Sequence, residues 1–533
     1  MSQNLFDFRV YFLLLFLLFI LLYFFNKAFL EKIKLYFVTH ITIIVFTTTI
    51  VFFLYLTIIK YFSWKSGLIS GTDFSHFDYT FWNIAKGNGP IISIDDHLYY
   101  KNIFGNHFSP IVYILSLPYL IFPSHFIPFL YQSFFLSLTF FISFKFTDDL
   151  LNRFKFQNSE LCGKKNSNVM SITSIFAFLL SLSLISFQYT LRIFKYEFHQ
   201  EIIYLVFGLW VLYEIILSVE FREKRLWQLF ISIVLYLTIK EDAPLYLCGP
   251  FFWAIIRSPW KKKYFWIVGI TILLVYFFII FKQVMPIYAV DPSKNNYIPM
   301  WRKYGSNIIE IAKSVILNPH LIIGDIIFKK TLLKIFLPWL FLPLFSWSIF
   351  FIIPVLVIAL TSTDPQLSDL LLYYSAPLIP FLYFSYLYSF KRLSKHIGKI
   401  ICIGLFINLV TGIGTLRVSN PNPDLLFVLN EGQNRINNLL KKVNQTEVVF
   451  VTGGLLPHID YDIRLRRIMG LDFYKDTPFK IKAVILAPTL NLYPLKQEDI
   501  SEIEAELLRK NFILDYESSY FKIYRYFTST QVE

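Results

Sequence analysis

The sequence predicts an α-helical polytopic membrane protein of about twelve spans with a small α/β domain at its C-terminus. Three observations predict it. Of 533 residues, 56% are hydrophobic, 20% are aromatic and only 16% are charged, whereas soluble domains carry roughly 25% charged residues. Up to about residue 415, long apolar runs alternate with short polar loops. Beyond that point the composition changes: Arg417 to Glu533 holds 15 basic and 15 acidic residues, so the net +14 of the chain belongs to its apolar part. A soluble domain has no interior large enough for the apolar surface of the first 415 residues.

Runs of about 17 apolar residues or more read as membrane spans. Tyr11–Phe25, Tyr36–Ile59, Phe126–Ser143, the short Ile172–Phe187 and Ile202–Ile216 are the first of them. Residues 1–60 read as two N-terminal membrane helices, 61–124 as a first external loop with a juxtamembrane helix over Ile111–Phe122, 125–415 as the helical core and 416–533 as the small domain. Leu22-Tyr-Phe-Phe-Asn-Lys27 offers no small-residue cleavage site, so a cleavable signal peptide is not expected. Two segments depart from simple spans. Residues 227–257 read as a pair of short helices around Lys240-Glu-Asp242, and 332–361, with Pro338, Pro343 and Pro354, as one kinked helix or two spans. Cys162, Cys248 and Cys402 lie far apart without metal or disulfide spacing and read as small buried side chains.

Loop charge gives the orientation. Loops 26–36, 145–168, 220–226, 257–264 and 391–399 hold 19 Lys and Arg in 59 positions, whereas 61–110, 191–201, 240–242, 282–330 and 362–374 hold 13 in 126. The two sets alternate along the chain, so the first is expected on the cytoplasmic side and the second outside. The acids and histidines gather in the second set: Gly71-Thr-Asp-Phe-Ser-His-Phe-Asp78, Asn106-His-Phe-Ser-Pro110, Tyr196-Glu-Phe-His-Gln-Glu201 and Lys240-Glu-Asp242. The basic excess fits anchoring to anionic lipid and implies no nucleic-acid partner. In the tail, Glu447–Thr452 and Lys482–Ala487 read as buried strands, Glu498–Lys510 as an amphipathic helix and Phe512–Phe527 as a strand pair, which by parity rest over the acidic loops.

Chemistry in a membrane protein is sought where ionisable groups converge. Asp73 and Asp78, five apart with His76 between, read either as general base and metal ligands or as a helix cap with a surface acid. If a divalent cation is bound, these two are its candidate ligands. His107 reads as a metal or phosphate contact or as a loop anchor. On a helix Glu197 and Glu201 would share a face near Arg192 and Lys195, whereas an extended chain would aim Glu197 and His199 the same way. Lys240, Glu241 and Asp242 sit among about thirty otherwise apolar residues and need partners or water. In the long loop 282–330, Arg302 or Lys303 would suit a phosphate and Trp301 or Tyr304 a sugar face; an interfacial aromatic belt reads equally well. Tyr373 begins a span, as an interface anchor does. No nucleotide-phosphate loop, zinc pattern or serine-hydrolase elbow stands on an expected external segment.

The ordered set G-T-D-F-x-x-F-D, W-N, H-F-S-P, E-F-H-x-E, K-E-D and Tyr373-Tyr-Ser-Ala-Pro, followed by a small tail domain, resembles the bacterial "domain of unknown function 2079" membrane proteins over roughly residues 60–530. That family is grouped with the GT-C glycosyltransferases, which take a sugar from a polyprenyl-phosphate donor on the outer face of the membrane. The resemblance implies a GT-C-like fold in the bacterial cytoplasmic (inner) membrane, with the active loops and tail domain outside. It implies Asp73 first and Asp78 second as base or metal ligand. His107, Glu197, His199, Glu241 and Asp242 would line the cavity, with Arg192, Lys195, Lys240 and Arg302 on the donor phosphate. Membrane lipids, a polyprenyl-phosphate sugar and an unidentified glycan, lipid or protein acceptor are the implied partners. The loop departs from the family pattern in lacking a tight D-x-D or E-x-D pair, which counts against metal dependence; Asp95-Asp96 is adjacent instead. A transporter, or a non-catalytic sensor or assembly protein on the same scaffold, is the alternative. The absence of related halves and the placing of charges at span ends count against transport.

Overall fold

The computed structural model describes residues 27–65, 69, 73–94, 102–154, 168–289, 298–327, 329–392, 397–412, 434–444, 446–473, 480–492, 494–518 and 520–526. The expected span Tyr11–Phe25, Gly71-Thr72, Asp95-Asp96 and Cys162 lie outside the described residues. Helices of eight residues or more are numbered: α1 Lys27–Lys65, α2 Asp73–Ala85, α3 Ile127–Arg153, α4 Asn168–Ser186, α5 Gln188–Lys195, α6 Ile203–Glu220, α7 Leu226–Leu237, α8 Ala243–Arg257, α9 Trp260–Ile279, α10 Ile308–Leu317, α11 Pro319–Ile327, α12 Ile353–Leu360, α13 Leu378–Ser389, α14 Ile397–Gly412 and α15 Gln497–Arg509.

Four of the described helices are long and apolar enough to cross a membrane: Thr39–Lys65 within α1, α3, Gln200–Glu220 around α6, and Trp260–Tyr288, which extends α9. Thr173–Ser186 and α5, bent by 52°, make a fifth if counted together. Leu226–Leu237, Ala243–Arg257, Leu378–Ser389 and Gly398–Thr411 are shorter apolar helices. The bend falls at Phe187, whose backbone is extended (φ −60°, ψ 128°), and Thr190 Oγ1 donates to the freed Leu184 carbonyl at 2.8 Å. A side-chain hydroxyl thus takes the place of the interrupted ladder bond.

Three expected elements take a different form. The stretch 282–330 is not one loop: α10 starts where Asn307 Oδ1 accepts the Ile309 and Glu310 amides, and α11 follows after Asn318. Ile111–Phe122 is a single α-turn, Val112–Leu115, followed by a 3-10 turn over Leu117–Leu120, because Pro118 has no N–H to continue the helix. Its Leu117, Leu120, Ile121 and Phe122 are exposed, as a surface-lying segment requires. Residues 332–361 form neither one kinked helix nor two spans. A short helix, Lys330–Phe336, and α12 are joined by 3-10 turns through the left-handed residues Leu340 (φ 53°) and Phe341 (φ 57°).

The two loop sets converge on opposite ends of the bundle. At one end Glu220 accepts from Arg257 Nε at 2.9 Å and Lys391 Nζ at 2.9 Å, and Arg153 pairs with Glu223. At the other, 18 residues of α6 away, lie Asp73, His107, His199, Lys240 and Tyr373. Close helix crossings tie the middle. Gly249 of α8 meets Phe350 O and Pro354 Cδ where a Cβ would stand 2.3 and 2.8 Å from them, and Asn408 Nδ2 donates to Ser183 Oγ at 2.7 Å.

The C-terminal domain is a five-stranded sheet in the order β2-β1-β3-β5-β4, with β1 Glu447–Val451, β2 Leu465–Arg467, β3 Lys480–Leu486, β4 Phe512–Glu517 and β5 Lys522–Tyr526. β1 runs parallel to β2 and β3, and β5 is antiparallel to β3 and β4. Alternate residues serve alternate faces. Val448, Phe450 and Val484 pack under Ile500, Ile503 and Leu507 of α15, whereas Val449, Val451, Ala483 and Ile485 join the core that continues into the membrane part. The domain sits on the first-loop end of the bundle. Trp64 Nε1 donates to Pro457 O at 2.8 Å, Tyr461 stacks on Trp82 at 5.5 Å, and Arg466 Nη1 donates to Ser93 O at 2.7 Å.

Candidate functional site

The site is built on an extended stretch, Tyr196–His199, that interrupts α5 and α6. No helix joins Glu197 to Glu201, so the shared face expected for them does not form. Polar side chains hold this stretch. Lys60 Nζ, from α1, donates to Tyr196 O at 2.6 Å, and Gln132 Nε2, from α3, donates to the carbonyls of Tyr196 (3.1 Å) and Glu197 (2.9 Å). Glu197 Oε2 accepts the Phe74 amide at 3.3 Å, satisfying one of the orphan donors at the start of α2 with a carboxylate. Tyr196 then donates its hydroxyl to Asp73 Oδ2 at 2.9 Å. Asp73 is half-buried, fixed by one phenol and placed at the head of its helix.

Beside it lies a buried charge cluster. Lys240 Nζ is 2.7 Å from Glu201 Oε1 and 3.7 Å from Asp242 Oδ2. Glu241 Oε2 accepts the Phe108 amide at 2.9 Å and Oε1 lies 3.4 Å from His107 Nδ1. Asp242 accepts the hydroxyls of Tyr204 at 3.0 Å and Tyr246 at 2.9 Å. His199 contacts Glu201, stacks on Tyr373 at 3.6 Å and stands edge-on to His107 at 5.7 Å. Each carboxylate is thus paired or hydrogen-bonded, as burial demands. Burial pushes the His199 imidazole pKa well below its usual value, with His107, Lys240 and His76 adding to the effect. Burial opposes the Lys240 charge, but Asp242 and Glu241 outweigh it and its pKa rises. For Glu241, burial is outweighed by His107 and Lys240, and its pKa falls; for Asp242 burial wins and its pKa rises.

The cluster opens into a cavity of about 180 Å³ walled by Asn106, His107, Lys240, Asp242, Trp301 and Tyr373. Trp301 is fixed there by Nε1–H bonds to Ile358 O (3.1 Å) and Thr361 Oγ1 (3.2 Å), with part of its surface exposed. The arrangement offers an apolar ring, a buried cation and several acceptors in a cleft at one end of the bundle, features suited to a polar ring-shaped ligand.

Most of the candidates drawn from the sequence meet here: Asp73, His107, Glu197, His199, Lys240, Glu241, Asp242, Trp301 and Tyr373. Others do not. Asp78 is fully buried on another side of α2, where Oδ1 accepts from Tyr119 (2.6 Å) and Tyr461 (2.7 Å) and Oδ2 lies 2.5 Å from His125 Nδ1. His125 Nε2 in turn lies 2.6 Å from Ile459 O. With its oxygens so engaged, Asp78 does not fit as a metal ligand beside Asp73. Among the described residues no group of three or more His, Cys, Asp or Glu is arranged to hold a metal ion. Arg192 lies over the Tyr189 ring at 4.9 Å, Lys195 and Arg302 are exposed, and Lys303 is taken by Asp325 at 2.5 Å. Sequence reasoning passed over Lys60, Tyr196, His125, Tyr461 and Arg467. Lys60 had a signal, a lone cation at the end of a long apolar run on the cation-poor side; the others acquire meaning only through contacts far along the chain.

Three comparisons bear on this geometry. The sequence matches no curated protein significantly. The fold resembles the crystal structure of ArnT from Cupriavidus metallidurans bound to undecaprenyl phosphate, with a TM-score of 0.51 and 10% identity, over 91% of this chain and 99% of that one. The apo structure of the same protein aligns at 0.47 and 9%, over 90% and 98%. At such identity the first of these speaks to the fold alone, and it agrees with the GT-C-like architecture that the motifs imply. Residues 66–476 match a family described as predicted membrane protein (DUF2079). That match spans most of the chain, the motif-bearing loops and the first strands of the C-terminal domain, and the chain therefore belongs to the DUF2079 family of membrane proteins.

Proposed function

We propose that the protein is a GT-C-type glycosyltransferase that moves a sugar from a polyprenyl-phosphate donor to an acceptor outside the cytoplasmic membrane. The observation that carries this reading is that Asp73, through the Tyr196 hydroxyl, adjoins Tyr373, whose ring walls a cavity at the end of an ArnT-like bundle. The sugar would lie in the cavity against Trp301, with His107, Lys240 and Asp242 to meet its hydroxyls. The acceptor oxygen attacks the anomeric carbon and gives its proton to the Asp73 carboxylate, while the bond from that carbon to the phosphate oxygen breaks. The electron pair leaves on the polyprenyl phosphate. Arg192 and Lys195, four and one residues before Tyr196, and Arg302, next to Trp301, line no part of the cavity but stand close to its walls along the chain and would hold that anion at its mouth, whereas Lys240 is neutralised by Glu201 and Asp242. The lipid tail would lie among the apolar helices.

The test uses full-length protein in lipid nanodiscs with a panel of polyprenyl-phosphate sugars and mixed glycan, lipid and peptide acceptors. Sugar transfer by the wild type, with loss of turnover but retained donor binding in Asp73→Asn, is expected. A folded protein that binds none of the donors contradicts the reading and favours the sensor or transporter alternative.

A further inference from the structure

One wall of the cavity is shaped by an uncommon backbone. Leu370 (φ 51°) and Leu372 (φ 54°) both stand in the left-handed region, which disfavours bulky side chains. Strain of this kind persists only where the surroundings over-determine it, and it gathers at ligand sites. Here a core and a set of hydrogen bonds supply the constraint. Leu370 is fully buried, so a glycine in its place would relax the backbone but empty the core. The Leu371 amide donates to Gln366 O at 2.8 Å, the Tyr374 amide to Leu371 O at 3.1 Å and Ser375 Oγ to Tyr189 O at 3.3 Å. What this turn presents is a pair of phenols, Tyr373 and Tyr374, with ring centroids 4.5 Å apart. Tyr373 is buried and stacks on His199, whereas Tyr374 is half-buried and lines the cavity with Lys240, Asp242 and Trp301. Of the tyrosines in that lining, Tyr246 gives its hydroxyl proton to Asp242 and Tyr373 gives its own to Tyr374 over a long 3.4 Å. Tyr374 therefore holds the phenol proton left over, with no acceptor for it among the described residues. Lys240 and Asp73 both act on this phenol electrostatically, so it stands near the carboxylate assigned to take the acceptor proton. The Glu201 and Asp242 carboxylates in the same wall disfavour a phosphate there, whereas a sugar hydroxyl can accept the phenol proton without bringing charge.

We propose that Tyr374 is a specificity-determining residue of the donor site: its phenol gives a hydrogen bond to one hydroxyl of the donor sugar, and the strained turn at Leu370 and Leu372 fixes where that hydroxyl must lie. The proposal rests on the sugar-transfer reading for its ligand and names the group that reads the sugar. Full-length wild type and Tyr374→Phe in nanodiscs are given a polyprenyl-phosphate sugar that the wild type consumes, together with its monodeoxy analogues, one hydroxyl removed in each. Removing one particular hydroxyl is expected to lower kcat/KM about tenfold in the wild type and hardly at all in Tyr374→Phe, which itself loses about tenfold on the parent sugar. Each of the other analogues is expected to lose the same factor in both proteins. A readout without turnover comes from 3-fluorotyrosine in place of Tyr374, whose ¹⁹F signal is expected to shift when the parent donor binds and much less with that one analogue. This arm decides alone if Tyr374→Phe fails to fold. A loss in Tyr374→Phe that is uniform across all analogues marks a merely structural phenol and overturns the proposal, as does an unchanged kcat/KM on the parent sugar or an equal ¹⁹F shift with every donor. If sugars are transferred and no single hydroxyl couples to Tyr374, the proposal fails while the sugar-transfer reading stands. If folded wild type binds none of the donors, the sugar-transfer reading fails and the role of Tyr374 with it.

Discussion

Asp78 makes the sharpest prediction, because the structure gives it a task other than chemistry. Its carboxylate joins Tyr119 and His125 of the membrane part to Tyr461 of the C-terminal domain, with no solvent contact. Tyr461→Phe keeps the ring on Trp82 and deletes one charge-assisted bond, costing about 1.5–3 kcal/mol of docking. Asp78→Asn removes the charge that faces His125 and turns an amide toward it, costing about 3–5 kcal/mol, as breaking a buried pair does. The Arg467 amide, bonded across the interface to Ile94 O, exchanges with solvent only when the domain lifts. At about 1.36 kcal/mol per decade, its hydrogen exchange should quicken roughly tenfold to a hundredfold in Tyr461→Phe and more than about a hundredfold in Asp78→Asn. Exchange unchanged within about threefold in both variants would refute the docking role. Lost transfer activity in Asp78→Asn with unchanged exchange would return this carboxylate to the chemistry.

Further consequences are equally measurable. His458 is buried against Trp64, and burial first, then Lys65 and His125, lowers its pKa to about 3. Below about pH 6.5 the unfolded chain takes a proton that the folded domain refuses, so stability falls with falling pH. Going from pH 7.5 to 5.5 should cost about 1.4 kcal/mol, and His458→Phe, which keeps an aromatic ring on Trp64, should remove that dependence from thermal unfolding. Glu201→Gln leaves Lys240 and His199 without their shared carboxylate and should destabilise the bundle by about 3 kcal/mol, seen as a lower unfolding temperature in nanodiscs; a shift indistinguishable from zero contradicts the pairing. Gly249→Ala drives a methyl group into Phe350 O and Pro354 and should cost about 1–3 kcal/mol, whereas Gly324→Ala, which meets open space, should cost little.

The apolar runs, the alternation of basic and acidic loops and the strand pattern of the tail were all legible in the sequence, because each is a local property of composition and period. The same holds for Asp73, His107, His199, Lys240, Glu241 and Asp242, since ionisable residues among apolar neighbours must find one another. What period cannot encode is which carboxylate reaches which partner. Asp73 and Asp78 look alike along the chain, five residues apart, but the turn of α2 sends one to Tyr196 and the other to a contact 383 positions away at Tyr461. Nor can a stretch such as 332–361 be read from hydropathy alone, since its course depends on left-handed Leu340 and Phe341, residues that favour no turn by themselves. The loop Tyr196–His199 is extended because Lys60 and Gln132 claim its carbonyls, and neither lies near it in sequence.

The most direct test of the account is a cryo-electron microscopy structure of Asp73→Asn in nanodiscs with a polyprenyl-phosphate sugar that the wild type consumes. The sugar is expected in the cavity beside Trp301 and Tyr373, its anomeric carbon facing position 73, and the phosphate near Arg192, Lys195 or Arg302. A head group lodged at the opposite end, beside Glu220, Arg257 and Lys391, would contradict it.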